Sequence, residues 1–205
     1  GSTRFVSSSP QVGRINGVVD APAGTTFQGN GYGTQELVFA APDADDVAIG
    51  IPEQASASAT AALLDRLPGV SATAYTDVSI SGIETRPDSS GPSLLIGGEV
   101  IADIRGFDDL VTRINANENL ADAGIRAVLT ENSVRLTDIQ GDDLVLRVSG
   151  PSGDGLVLQD ASGRTHSLMG TGPGNAASID GTVDLRAGFD FSLGGPYSLT
   201  VSSGS

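Results

Sequence analysis

Cysteine, lysine and tryptophan are absent from this chain, and histidine and methionine occur once each. Without Cys there is no thiolate nucleophile, no disulfide and no thiolate metal site. Without Lys there is no Schiff-base amine and no phosphate-gripping lysine of the P-loop kind, and every basic residue is an Arg. A single imidazole, His166, makes no His-rich metal site. With no Gly-x-Ser-x-Gly turn to carry a nucleophile, it builds no serine hydrolase triad either. Six Phe and three Tyr are the only aromatic residues, so a core must be packed from Val, Ile, Leu and Ala, and there are few rings for a sugar to stack on. No apolar run approaches the roughly 20 residues of a membrane-spanning helix, and no signal-peptide pattern is present.

What the chain has in quantity is acid, glycine and small apolar residues. A formal charge of -14 with no basic cluster opposes nucleic acid and anionic membrane surfaces, and it opposes self-association of the isolated chain, which is expected to be monomeric. The 28 Gly and 10 Pro are spread along 205 residues, which means many turns and short elements. Period-two apolar stretches place strands at 36–40, 47–51, 134–136, 144–148, 156–158, 165–168, 182–185, 189–192 and 197–201, with edge strands near Phe5 and Ile15. Residues 134–136 and 144–148, on either side of Gln140–Asp143, read as a hairpin, as do 156–158 and 165–168. Residues 170–177 read as a loop.

Helical spacing appears twice. In 56–67 the expected buried stripe is Ala59, Ala62, Leu63 and Leu67, with Ser56 or Ser58 as the cap. In 107–116 it is Phe107, Leu110, Val111 and Ile114, with Asp108 and Asp109 suited to the first turn. Each helix is followed by Gly-hydrophobic-x-Ala and then alternating residues: Gly69-Val70-Ser71-Ala72, and, after a polar loop, Gly124-Ile125-Arg126-Ala127. With one residue inserted, Val78 falls on Val134, Ile80 on Leu136 and Ile83 on Ile139. The fold class is therefore mainly β (α+β): antiparallel sheets with two short helices, each in a repeated helix-strand-strand unit. The first unit occupies 1–90 and the second 91–205. A repeated supersecondary unit points to a built surface module before it points to an active site.

Other chemistry is weak. The acidic groups Asp43/Asp45/Asp46, Asp108/Asp109 and Asp142/Asp143 lack calcium-loop spacing and are explained as turns and a helix start. Gly29-x-Gly31-x-Gly33 precedes a strand and opens no helix, so it is not a nucleotide loop. The expectation is no enzyme, no cofactor and no metal.

Leu110-Val111-Thr112-Arg113-Ile114-Asn115, followed by Gly124-Ile125-Arg126-Ala127-Val128-Leu129 and Val134-Arg135-Leu136-Thr137, resembles the "IN" motif of bacterial flagellins and hook-associated proteins. The earlier unit is similar to a divergent copy, with Leu67-Pro68 where Ile-Asn would stand. The resemblance covers roughly residues 28–148. It implies an extracellular, surface-exposed outer domain of a flagellar filament, hook or hook–filament junction protein, serving motility. Its implied partners are other subunits of the axial structure, reached through the parent protein. In that family such domains are inserted between helical ends that build the tube. The alternative is an adhesion or carbohydrate-binding module of a secreted bacterial protein.

Overall fold

A computed structural model describes residues 3–6, 15–20, 34–41, 44–67, 70–159, 163, 165–170, 175–179, 181–187 and 198–203. The fold is mainly β, with a few short helices. Seven strands make the largest sheet: β1 (Thr3–Val6), β5 (Val70–Glu84), β8 (Ile125–Leu129), β9 (Val134–Asp138), β11 (Gly155–Gln159), β12 (Thr165–Met169) and β14 (Thr182–Ala187). Five make a second, in the order β2 (Ile15–Asp20), β13 (Asn175–Ile179), β10 (Leu144–Ser149), β6 (Ser93–Ile96) and β7 (Glu99–Ile101). A third sheet orders β15 (Ser198–Ser203), β3 (Gln35–Ala41) and β4 (Ala44–Ile51). Every pairing among the described strands is antiparallel.

The long strand β5 organises the large sheet. Val70–Tyr75 pair with β14, Thr76–Ile80 with β9, and Ser79–Glu84 with β11. Its alternation sends Thr76, Val78 and Ile80 inward, while Asp77, Ser79 and Ser81 stay partly exposed. The inner faces of the two larger sheets meet in one aliphatic core, where Ile80, Leu136, Leu156 and Leu158 face Leu94, Ile96, Leu146 and Val148. Within it, helix α2 (Phe107–Ala116) buries Leu110 and Ile114. The strands of residues 70–84 and those beyond residue 91 thus share both a sheet and a core. A smaller cluster joins Ile51 of β4, Ala55, Ala72 of β5, and helix α1 (Ala57–Leu64), which contributes Ala57, Ala61 and Leu64.

Helix α1 departs from its expected phase. Ser56 caps it, accepting from the Ala59 amide at 3.1 Å. The buried residues are Ala57, Thr60, Ala61 and Leu64, while Ala59 and Ala62 are exposed and Leu63 and Leu67 only partly covered. In an Ala/Leu stretch both phases are apolar, so periodicity cannot choose, and packing against β4, β5 and β14 does. Thr60 is consequently buried, and its hydroxyl has no hydrogen-bond partner among the described residues. An unsatisfied buried hydroxyl costs about 1–3 kcal/mol, and valine has the same shape and the same β-branching. Thr60→Val is therefore expected to raise stability by about 1 kcal/mol, seen as a higher urea midpoint at unchanged slope. A lower midpoint would mean that the hydroxyl is bonded.

Four other expectations need correction. Residues 134–136 and 144–148 do not form a hairpin: β9 lies in the large sheet and β10 in the five-stranded one, and the chain crosses between sheets at 139–143. The turn residues are those of a hairpin, but the Asp138 carboxylate folds back on the Gln140 and Gly141 amides at 2.7 and 3.2 Å and starts the crossing. Residues 175–177 open a strand and not a loop, because β13 is flanked by β2 and β10, which supply its hydrogen bonds. The polar segment after α2 contains helix α3 (Glu118–Asp122), capped by the Asn117 side chain and anchored by buried Leu120. Finally, Val78 and Ile80 are not repeats of Val134 and Leu136 but their cross-strand neighbours, with Val78 opposite Leu136 and Ile80 opposite Val134. One core layer puts the same residue types on both strands. The expected strand at 189–192, Gly69 and the glycine-rich segment 29–33 lie outside the described residues, as do the side chains of Val70, Asp45 and Asp46.

Candidate functional site: two helix–strand clamps

The residues of the Ile-Asn pattern converge. In α2, Asp108 and Asp109 occupy the first turn and Arg113 the last, and Arg113 bonds Asp109 at 2.6 Å, so the charges follow the helix dipole. Leu110 and Ile114 are fully buried, with Phe107 and Val111 packed against the same core. The next residue, Asn115, is exposed on the helix, but its amide reaches β8. Nδ2 donates to the Ala127 carbonyl at 2.8 Å and Oδ1 accepts from the Ala127 amide at 2.9 Å. A side-chain amide thereby reproduces both backbone bonds that a neighbouring strand residue would make.

The path between Asn115 and Ala127 is held at each step. Asn117 Oδ1 caps α3 at the Leu120 amide (3.0 Å), and its Nδ2 donates to Glu99 at 2.9 Å. Asn119 donates to the other Glu99 oxygen at 2.8 Å. Hydrogen bonds from these two amides hold the Glu99 carboxyl below its usual range and tie α3 to β7. Gly124 then turns the chain into β8 with φ +82°, where an added Cβ would come within 3.0 Å of Ile139. Ile125 and Ala127 complete the set, both buried in the core.

A counterpart exists in the first unit, three residues before Leu67-Pro68. Ala57, Thr60, Ala61 and Leu64 stand on α1 as Phe107, Leu110, Val111 and Ile114 stand on α2. Leu64-Asp65, not Leu67-Pro68, is therefore the equivalent of Ile114-Asn115. Asp65 Oδ1 accepts from the Ala72 amide at 2.7 Å, as Asn115 does from Ala127. A carboxylate is acceptor-only, so this clamp holds the N–H and offers nothing to the carbonyl.

Other polar groups lie apart from the clamps. His166 sits on β12 opposite Leu158, half-buried at the core margin. Asp122, Asp138, Asp142 and Asp143 line a cleft of about 420 Å³ with Gln140 and Arg147. Among the described residues, however, no group of three His, Cys, Asp or Glu could hold a metal ion. Burial pushes the Asp138 carboxyl up, aided by the charge of Asp142 and opposed by the amides it accepts from. At the other end of the molecule the fully buried Asp154 accepts from the Arg86 amide at 2.9 Å and from the Ser89 hydroxyl. These hydrogen bonds, that of Ser89 first, hold its carboxyl below the usual range against desolvation. This latch fastens 86–89 to the β10–β11 turn, and Arg86 adds a bond to the Ser152 carbonyl at 2.9 Å. Nothing local in the sequence signals it, since its partners lie far apart along the chain.

Among the described residues no helix is long and apolar enough to cross a membrane. No protein-family model matches the chain, and no curated protein matches it.

Proposed function

We propose that the chain is a structural outer domain of a bacterial flagellar filament, hook or hook–filament junction protein. The observation that carries this reading is the Asn115–Ala127 clamp. It gives the Ile-Asn residues of the resembled motif a definite task, fixing a short amphipathic helix to the strand that follows it. A diverged clamp at Asp65–Ala72 repeats the arrangement. The charged groups with distinctive surroundings, at Asp138, Asp154 and Glu99, serve turns and loop latches. A domain of this kind contributes surface, while polymerisation belongs to helical ends elsewhere in the parent protein.

The test uses the bacterium that encodes the chain. Antibodies raised against this domain should label the length of a flagellar structure in electron micrographs. A parent gene with 28–201 replaced by a short Gly/Ser linker should still assemble that structure, thinner or smoother and without label. Labelling confined to the cell body, or to non-flagellar surface fibres, would overturn the reading. Loss of polymerisation by a folded, secreted deletion protein would show that the segment carries assembly contacts.

A further inference from the structure

β8 pairs with β9 on one side, and beyond it no described strand lies; α2 and α3 pack against it, and α2 reaches its edge through Asn115. The Gly124 carbonyl accepts from Ile139 and the Thr130 amide donates to Ser133, so the even-numbered residues from 124 to 130 face β9. Ile125, Ala127 and Leu129 therefore turn their N–H and C=O groups outward. A row of this kind is a template for another strand. It is interrupted at its centre, where Asn115 occupies both groups of Ala127. The same device recurs on β5. Ala72 stands opposite Leu185 of β14 and gives its N–H to Asp65.

We propose that Asn115 is an edge guard that keeps a second copy of this chain from adding its own β8 to the sheet. The occupant follows from the strand itself. In the antiparallel register that pairs all five residues, Ala127 meets Ala127 of the second copy and needs the two bonds that Asn115 now supplies. Ile125 falls opposite Leu129, and Arg126 opposite Val128, so no charge directly faces its like. Val128 and Leu129 are 55% and 44% exposed, and pairing would cover them. The strand is thus self-complementary about a two-fold axis at Ala127, the symmetry of the commonest protein dimers. The guard leaves Leu129 open but denies any incoming strand its central residue.

Three proteins test this: the wild type, Asn115→Ala, and Asn115→Ala combined with Leu129→Pro. The Leu129 amide points off the sheet, so proline there breaks no bond to β9 and removes a donor that an added strand needs. Sedimentation velocity across micromolar to submillimolar concentration should show a monomeric wild type, a concentration-dependent dimer for Asn115→Ala, and a monomer again for the double variant. A folded Asn115→Ala that stays monomeric, or a dimer that Leu129→Pro leaves intact, would overturn the proposal. Hydrogen exchange on the wild type gives a reading that holds even where Asn115→Ala fails to fold. Ala127, guarded, should exchange about tenfold or more slowly than the equally outward Leu129 amide. Equal rates would show that the side chain does not hold the edge.

Discussion

Replacing Ile114 or Leu110 by alanine is expected to cost about 3 kcal/mol each, a large part of the roughly 5–15 kcal/mol that holds a domain of this kind together. Both side chains are fully buried among aliphatic neighbours, so truncation loses the transfer free energy of the removed groups and leaves a cavity. The neighbours that could collapse into it sit on strands held by sheet pairing, β9 on both sides and β8 and β7 on one, which places the cost in the middle of the usual range and not at its foot. Arg113 lies between them in sequence but on the outer face, bonding Asp109 and the Ala102 carbonyl at 2.6 Å each. Its side chain is 36% exposed, and Arg113→Ala should cost under about 1 kcal/mol. Urea unfolding of the three variants checks the ranking, and equal small effects would mean that the buried face is misassigned. Ile114 also immediately precedes Asn115. Loosening its packing should free the Asn115 amide, so Ile114→Ala should speed exchange at Ala127 where Arg113→Ala does not.

The difference between the two helices shows what a sequence can and cannot carry. In α2 the apolar positions alternate with Asp108, Asp109, Thr112 and Arg113, so only one face can be buried, and both its bounds and its stripe were legible. In α1 six of the eight residues are Ala or Leu, and the choice between two largely apolar faces is made by the strands it meets. Asn115 was legible as part of an Ile-Asn pattern. Its role was not, because the bonds to Ala127 exist only once β8 has been brought alongside the helix end. Asp65 was hidden twice over, by the wrong helix phase and by a residue type that differs from Asn in a single group. β13 shows the same limit in a strand. Asn175–Ile179 contains mostly small residues with weak strand preference, and its conformation comes from neighbours on both sides. Asp154 left no trace at all, since a lone Asp before Gly reads as a turn and the loop it fastens lies well over fifty residues earlier in the chain.

Gly141→Ala is expected to be among the most damaging single substitutions in the molecule. The residue lies where the chain crosses from one sheet to the other, with φ +79°, a conformation that costs a non-glycine residue about 1 kcal/mol or more. Space is the greater obstacle. A Cβ would come within 2.3 Å of the Ala74 Cβ, 2.8 Å of its carbonyl carbon and 2.9 Å of the Tyr75 nitrogen. These are parts of β5, which β14 and β9 hold in place, so the new methyl group meets backbone that cannot rotate away. Overpacking of this kind adds about 1–3 kcal/mol, for a total of about 2–4 kcal/mol. Two other glycines separate the causes. Gly98 has φ +80° with nothing within 4 Å of the added carbon, so Gly98→Ala should show the backbone cost alone, about 1 kcal/mol. Gly50 has neither obstacle, and Gly50→Ala should be neutral within about 0.5 kcal/mol. The damage at Gly141 should also travel, because its carbonyl accepts the Ser58 amide at 2.9 Å in the first turn of α1. The crossing that separates the two larger sheets is thus a seat for the helix that carries Asp65. In a Gly141→Ala protein that still folds, the Ala72 amide should lose protection while Ala127, held by the other helix, keeps it. Exchange that rises equally at both, or at neither, would show that the crossing and the first clamp are not coupled.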